Sequence, residues 1–200
     1  YGDLVPATGQ DRRALVLRQP VGLVGAITPW NFPNAMVTRK VAPALAAGCA
    51  IILKPAEDTP LSSLALAVLA RRAGIPEGLF TVLPTARPAG VGGVLTGHPD
   101  IRKISFTGST QTGQMLMAQA ASHVKRMSLE LGGNAPFIVF DDADLDLAVA
   151  TAMQVKFRNG GQTCVSANRF IVHSSASKRF TAKLTEALLA LRVGDGLDGE

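Results

Sequence analysis

A cysteine that follows a pair of glycines is the side chain of this sequence best suited to covalent chemistry. Cys164 ends the segment GGQTC at 160–164. A thiolate attacks carbonyl carbons readily, and adjacent glycines permit backbone angles that bring a substrate close to it. Taken alone, the pattern fits a nucleophile and an unreactive loop cysteine equally well. The other cysteine, Cys49, lies in the apolar run at 48–53 and is predicted to be a buried, inert thiol.

A carboxylate lies between two leucines in the segment SLELGGN at 128–134. Burial of an unpaired carboxylate is costly, so Glu130 is an unusual residue in such a run. Two interpretations stay open. Glu130 is either a strand-end residue that faces solvent, or a carboxyl in apolar surroundings that acts as a general base.

An asparagine stands near two prolines in the segment TPWNFP at 28–33, where a predicted strand passes into a predicted helix. The amide of Asn31 fits the cap of that helix, and the sequence alone favours this interpretation. Because the prolines make the turn rigid, the same amide also fits an oxyanion donor.

Two segments place polar residues directly after predicted buried strands. They are LKPAE at 53–57 and FTGSTQTG at 106–113. Nucleotides bind at the carboxyl ends of parallel strands, and the N–H groups at the start of a helix bind phosphate. The segments therefore predict a nucleotide site, although the glycine loop lacks the GxGxxG spacing and is a weak signal by itself.

Strand patterns alternate with helical patterns over the first 131 residues. This alternation favours an α/β fold with a doubly wound, parallel sheet of Rossmann-like architecture. The predicted strands are 21–27, 50–53, 79–83, 103–106 and 124–129, and the predicted helices are 33–47, 60–73, 91–95 and 111–121.

The pattern changes after the glycine pair at 132–133. We predict a cofactor-binding domain over residues 1–131 and the beginning of an α/β catalytic domain over residues 132–200. The chain starts at Tyr1 and ends on a polar turn, so we expect a piece of a longer protein. The later elements are predicted as a strand at 137–140, a helix capped by Asp144 that ends at Phe157, a strand at 169–172 and a helix at 178–191.

Composition argues against several classes of protein. The net charge of +5 comes from scattered basic pairs, and the chain has 1 Trp and 1 Tyr, whereas nucleic-acid binding favours a basic stripe with stacking aromatics. Two cysteines are too few for a disulfide scaffold. No apolar run reaches the roughly 18 residues of a membrane span. We therefore expect neither a nucleic-acid partner nor a membrane partner.

Five segments, in this order, resemble the aldehyde dehydrogenase superfamily: PWNFP, KPAE, FTGS, ELGGN, and GQTC followed by Arg169. The resemblance covers nearly the whole chain. It implies that Cys164 is the nucleophile, that Glu130 activates the deacylating water, and that Asn31 stabilises the oxyanion together with the backbone N–H of Cys164. It implies NAD as cofactor, with NADP as the alternative, and no metal. The implied cofactor contacts are Thr28, Pro29, Trp30, Lys54, Pro55, Ala56, Glu57, Gly108, Ser109, Thr110, Gln111, Thr112 and Gly113.

Within that superfamily, residues 32–40 and 156–159 look most like succinate-semialdehyde dehydrogenases. There, arginines that match Arg39 and Arg158 bind the substrate carboxylate, so the implied partner is a small aldehyde with a carboxylate. Many members of the subgroup carry a second cysteine two residues after the nucleophile, and the two thiols form an inactivating disulfide. This chain has Ser166 there, so the resemblance implies that this redox switch is absent.

Other interpretations stay open. One alternative is an aldehyde dehydrogenase that acts on glutarate semialdehyde, which is one methylene longer than succinate semialdehyde and hard to discriminate from it. Another is a dehydrogenase for a neutral aldehyde, and the arginine pair argues against that substrate. A CoA-acylating relative typically lacks the base, so Glu130 argues against that activity. A non-catalytic binding or structural protein on this fold is expected to have lost Cys164 or Glu130. The resemblance further implies that the full-length protein is a homo-oligomer in the cytoplasm, or alternatively in the mitochondrion.

Overall fold

The computed structural model describes residues 2–7, 9 and 11–197, so most of the predicted polar turn at the end of the chain lies outside the described residues. The chain divides into two compact units, Tyr1–Leu131 and Gly132–Glu200. This division falls where the sequence pattern changes, after Leu131.

The first unit contains a hairpin and a five-stranded sheet. In the hairpin, β1 (Gly2–Val5) pairs with β2 (Ala14–Leu17) in antiparallel orientation. The elements that follow are β3 (Leu23–Ile27), α1 (Pro33–Ala46), β4 (Ile51–Lys54), α2 (Pro60–Arg72), β5 (Phe80–Val82), α3 (Pro88–Gly97), β6 (Ile101–Thr107), α4 (Thr110–Ala120) and β7 (Arg126–Glu130).

The order of strands in the five-stranded sheet shows that the chain winds in two directions. The order is β5-β4-β3-β6-β7, and every pairing is parallel. The chain therefore moves outward from β3 to one side, returns, and continues with β6 on the other side. In such sheets the reversal leaves a crevice at the carboxyl ends of the two strands that flank it, here β3 and β6.

Alternate residues of the strands pack into separate cores. Val24 and Ala26 of β3 pack in a cluster with Val37 and Val41 of α1. Ile27 of β3 instead belongs to a second cluster, which contains residues of α3, β6 and α4. Successive side chains of a strand point to opposite faces of the sheet, so helices cover the sheet on both sides.

The second unit is built on a two-stranded parallel sheet. Its elements are β8 (Ala135–Val139), α5 (Leu145–Phe157), β9 (Ala167–Val172) and α6 (Ser174–Leu189). Asp144 caps α5, because its Oδ1 accepts hydrogen bonds from the N–H groups of Asp146 at 2.9 Å and Leu147 at 3.2 Å. The core contains three phenylalanine rings in mutual contact, those of Phe137, Phe170 and Phe180.

The predicted α/β class is confirmed, and so are the buried position of Cys49 and the cap at Asp144. Several boundaries were wrong: β3 begins two residues later than predicted, β6, β8 and β9 begin two residues earlier, and α3 begins three residues earlier. β7 begins at Arg126 rather than Val124, because Val124 ends a 3-10 turn in a left-handed conformation with φ 47°. α6 begins at Ser174, four residues earlier than predicted. The β1–β2 hairpin was not predicted.

Among residues 2–7, 9 and 11–197, no helix is both long enough and apolar enough to cross a membrane. In the same part of the chain, His, Cys, Asp and Glu side chains nowhere form a group of three or more that could hold a metal ion.

Candidate active site

A cavity of about 400 Å³ opens where β3, β4 and β6 end. Its volume lies within the usual range of small-molecule sites, and its position is the crevice that the reversal of winding creates. The wall includes nine of the residues that the sequence analysis named as cofactor contacts: Thr28, Pro29, Trp30, Lys54, Ala56, Glu57, Gly108, Ser109 and Thr112.

An ion pair stands at the end of β4. The Lys54 Nζ lies 2.6 Å from the Glu57 Oε1, and the lysine side chain is 6% exposed while that of the glutamate is 38% exposed. Partial burial raises the pKa of Glu57, but the hydrogen bond from Lys54 and the lysine charge outweigh it and hold that pKa below 4.5. The pair therefore presents a carboxylate at the cavity with its charge partly compensated.

The helix α4 begins at the same cavity. The Oγ of Ser109 caps it by accepting a hydrogen bond from the backbone N–H of Thr112 at 3.2 Å. Gly108 precedes the cap, and a Cβ there would lie 2.5 Å from the ring of Phe106. The turn therefore has no space for a side chain, and it can offer backbone N–H groups and the positive end of the helix to an anion.

Four predicted cofactor contacts lie outside the cavity wall. Pro55 is fully buried beneath it. Thr110, Gln111 and Gly113 belong to the first turn of α4 but do not line the cavity.

Helices supply a part of the wall that the sequence analysis missed. Pro88, Ala89 and Gly92 come from the start of α3, and Met115 and Gln119 come from α4. The prediction began α3 at residue 91 and so left its first turn in a loop. Met115 and Gln119 are four residues apart, which puts them on one face of the helix, and this spacing is the signal that could have identified them.

Three predicted residues of the first unit lie at the ends or on the surface of its elements. Asn31 is half-buried between β3 and α1, and Phe32 rather than Asn31 occupies the cap position of α1, so the cap interpretation was wrong. Arg39 is exposed on α1. Glu130 ends β7 and is exposed. That position agrees with the strand-end interpretation.

A buried lysine that the sequence analysis did not single out lies next to these residues. Lys40 of α1 is 7% exposed, and its Nζ donates a hydrogen bond to the Oγ of Ser105 at 3.0 Å. Burial lowers the pKa of Lys40 from 10.5 to about 8. The Glu130 carboxylate raises that pKa, while Arg39 and Lys103 lower it further. Its place on the buried stripe of α1, with Met36, was the signal in the sequence.

In the second unit, Cys164 is exposed on a turn between α5 and β9. The residues that lead into this turn have left-handed backbone angles, with φ 54° at Asn159, 63° at Gly160 and 79° at Gly161. The unusual conformation predicted for the two glycines is confirmed, and it includes the residue before them. Arg158, which is exposed, directly follows the last residue of α5.

The turn that carries Cys164 is closed at its base by two hydrogen bonds. The backbone N–H of Ser166 donates to the carbonyl of Thr163 at 3.3 Å, and the hydroxyl groups of the same two residues hydrogen-bond to each other. Ser166 is 1% exposed. The thiol is therefore accessible while the base of its turn is buried.

The pKa of Lys40 leads to a prediction about stability. Because the folded protein releases this proton near pH 8 and the unfolded chain near pH 10.5, the folded state gains stability as the pH rises through that window, by at most about 1.4 kcal/mol per pH unit. Lys40→Met removes the effect. In denaturant titrations of the full-length protein, the free energy of unfolding of this variant minus that of the parent should fall between pH 8 and pH 10. A constant difference would contradict the prediction.

The sequence profile of the aldehyde dehydrogenase family matches residues 1–200. The chain is 60% identical over 198 residues to the 3-sulfolactaldehyde dehydrogenase of Pseudomonas putida. It is 59% identical over 198 residues to the NADP(+) succinate-semialdehyde dehydrogenase of Escherichia coli (strain K12). Each alignment covers 99% of this chain but only 40% and 41% of the respective relative, so the chain spans about two fifths of the length of these proteins.

A solved structure gives the same result for the fold. The crystal structure of an NADP dependent enzyme of E. coli superposes with a TM-score of 0.96 at 58% sequence identity, covering 100% of this chain and 41% of that chain. The profile match over the full length and this superposition agree with the motifs at 160–164 and 128–134. The chain belongs to the aldehyde dehydrogenase family.

Proposed function

We propose that the full-length protein oxidises a small aldehyde with an anionic group to the corresponding acid, with reduction of NAD(P), and that succinate semialdehyde is its substrate. The exposed Cys164 on a closed turn carries the proposal, because a thiol held in this way is suited to nucleophilic attack. The names of the two relatives support the substrate class, since 3-sulfolactaldehyde and succinate semialdehyde are both aldehydes with an anionic group.

The proposed steps follow from the chemistry of three residues. The Cys164 thiolate attacks the aldehyde carbon, and the resulting oxyanion accepts hydrogen bonds from the Asn31 amide and the Cys164 backbone N–H. A nicotinamide cofactor, when bound, would accept the hydride that leaves the thiohemiacetal carbon, and loss of this hydride would convert the adduct into a thioester on the Cys164 sulfur. Glu130 then takes a proton from water, the hydroxide adds to the thioester carbon, and the thiolate leaves as the acid is released.

The cavity wall fits such a cofactor. The Lys54–Glu57 pair would hold ribose hydroxyl groups, and the start of α4 would hold the pyrophosphate. Thr107 also lines the cavity, and its buried Oγ1 has no hydrogen-bond partner among the described residues. A buried hydroxyl of this kind is costly unless a ligand or water satisfies it.

The order of the steps gives the first test. Cys164→Ala should abolish NADH formation, because no adduct forms. Glu130→Gln should give one burst of NADH of about one equivalent per active site and then stop at the thioester. Rapid-mixing absorbance at 340 nm measures both. If Glu130→Gln shows no burst, the glutamate acts before hydride loss, and the proposed order of steps is wrong.

The ion pair at the end of β4 bears on cofactor choice. The Glu57 carboxylate would accept hydrogen bonds from the ribose 2′-hydroxyl and repel a 2′-phosphate. We therefore propose a preference for NAD over NADP, although the name of the E. coli relative specifies NADP(+). Lys54 compensates part of the repulsion, so the preference depends on the balance between these two charges.

Glu57→Gln tests that balance, because it keeps the size of the side chain and leaves the Lys54 charge uncompensated. We expect the ratio of kcat/KM with NAD to kcat/KM with NADP to fall about tenfold or more, which corresponds to about 1.4 kcal/mol. Steady-state kinetics of the full-length protein with both cofactors measures it. A parent enzyme with a higher kcat/KM for NADP would contradict the proposed preference.

Arg39 and Arg158 are proposed to bind the substrate carboxylate. Both guanidinium groups belong to exposed residues. Arg39 lies eight residues after Asn31, which in a helix corresponds to about 12 Å, and a long arginine side chain spans part of that distance. A hydrogen bond between guanidinium and carboxylate contributes roughly 1.5–3 kcal/mol.

Two such contacts should favour succinate semialdehyde over butanal by about a hundredfold or more in kcat/KM. Arg39→Ala and Arg158→Ala should each remove much of this preference, chiefly through KM, with little change for butanal. Steady-state kinetics with butanal and succinate semialdehyde measure the preference for a carboxylate. The same kinetics with glutarate semialdehyde measure how strongly the enzyme discriminates against one additional methylene. Equal kcat/KM for butanal and succinate semialdehyde in the parent would falsify the semialdehyde assignment and leave the aldehyde dehydrogenase proposal standing.

A further inference from the structure

The four-residue turn at 163–166 is closed by side chains as well as by the backbone. Its backbone hydrogen bond, from the Ser166 N–H to the Thr163 carbonyl, is long at 3.3 Å. The Thr163 and Ser166 hydroxyl groups form a second hydrogen bond across the same opening. We call this pair of hydroxyls the hydroxyl clasp. It links the residue directly before the nucleophile to the residue two positions after it.

Burial makes the clasp different from a surface contact. Ser166 is among the most deeply buried side chains of the described residues, at 1% exposure, whereas Val165 between it and the nucleophile is 72% exposed. Removal of the hydrogen-bond partner of a buried hydroxyl lowers the free energy of unfolding of the protein. The clasp is therefore a strong constraint on a turn whose middle residues, Cys164 and Val165, project into solvent.

The backbone of the turn is also contacted from the β8 side. A Cβ on Gly133 would lie 3.2 Å from the Cys164 carbonyl oxygen, so the two backbones already approach closely. Gly133 is itself held, because the Asn168 side-chain amide donates to its carbonyl at 3.1 Å and the Lys156 Nζ donates to the Asn168 Oδ1 at 2.7 Å. The Cys164 peptide thus lies between the hydroxyl clasp and an anchored glycine.

We propose that Thr163 and Ser166 are positioning residues that fix the peptide of Cys164, and with it the sulfur and the backbone N–H that would face the oxyanion. The proposal rests on the proposed function. A hydroxyl suits the task better than a thiol, because O–H···O hydrogen bonds are shorter and stronger than those of sulfur. Ser166 accordingly helps to hold the turn that carries the nucleophile, at the position where many relatives of the resembled subgroup have a second cysteine.

The proposal predicts a loss in the chemical step rather than in binding. A small misplacement of reacting groups can lower a rate by up to about a hundredfold while binding contacts elsewhere are kept. Thr163→Val has the same shape as the parent residue and loses the hydroxyl, and Thr163→Ser keeps the hydroxyl and loses the methyl. Ser166→Ala removes the other partner. Ser175→Ala is the matched control, because it removes a hydroxyl of the same unit that hydrogen-bonds to the His173 ring at 2.8 Å.

In the full-length protein, the rate of NADH formation in the first turnover, measured by rapid mixing with saturating aldehyde and NAD, should fall about tenfold or more in Thr163→Val and Ser166→Ala. Thr163→Ser should keep most of the rate, and Ser175→Ala should match the parent. The KM for NAD should stay within about twofold, and so should the rate of Cys164 alkylation by iodoacetamide, since the thiol stays accessible. Hydrogen–deuterium exchange of peptides that cover 163–166 should be faster in Thr163→Val and Ser166→Ala than in the parent, and unchanged in Thr163→Ser and Ser175→Ala.

The outcomes separate the two proposals. If the parent forms NADH and Thr163→Val keeps the parental rate of the first turnover, the positioning role is overturned and the proposed function stands. Unchanged exchange in both Thr163→Val and Ser166→Ala overturns the clasp itself. If the parent forms no NADH with any aldehyde, the proposed function fails and the positioning role fails with it, although faster exchange in the variants would still show that the clasp exists. Rescue by Thr163→Ser excludes general misfolding as the cause of a slow Thr163→Val.

Discussion

The close pairing of β3 with β6 is the constraint on which the cavity depends. The chain reverses its winding between these strands, so their carboxyl ends leave the crevice. Gly25 of β3 makes the packing tight on one face, because a Cβ there would lie 2.9 Å from the Ile104 Cδ1 and 3.5 Å from the Leu95 Cβ. The helix α3 can therefore lie directly on the strands. The start of this helix then reaches the cavity, where Pro88, Ala89 and Gly92 form part of the wall.

Two lysines at or near the site are buried, and each needs compensation for the loss of hydration. For Lys54 the compensation is an ion pair, in which its Nζ lies 2.6 Å from the Glu57 Oε1. Lys40 has only a neutral hydrogen bond to Ser105 and a more distant carboxylate, and its pKa falls to about 8. The same residue type thus forms an ion pair at the end of β4 and a hydrogen bond to a neutral hydroxyl on α1, and the difference lies in the partner that each position in the fold provides.

Local sequence patterns predicted the elements well, and they predicted the nature of the glycine loops. Long-range contacts decided what the patterns could not. The burial of Lys40 depends on which face of α1 meets the sheet, and the contribution of Met115 depends on the approach of α4 to α3, neither of which a local window contains. The exposure of Glu130 at a strand end was one of two interpretations that the flanking leucines left open. The hairpin was missed because β1 and β2 are short, and their apolar side chains are exposed instead of buried against a core.

The two halves of the proposed chemistry are set by different kinds of interaction. The cavity depends on contacts between strands and helices that are far apart in sequence. The nucleophile depends on eight consecutive residues, where three left-handed backbone positions and one pair of hydroxyls define the turn. We expect few substitutions to be tolerated in this turn, because left-handed backbone angles favour glycine and a buried hydroxyl needs its hydrogen-bond partner. The sequence accordingly identified the segment around Cys164 and nine residues of the cavity wall, whereas the helix residues that complete the wall became evident only from the fold.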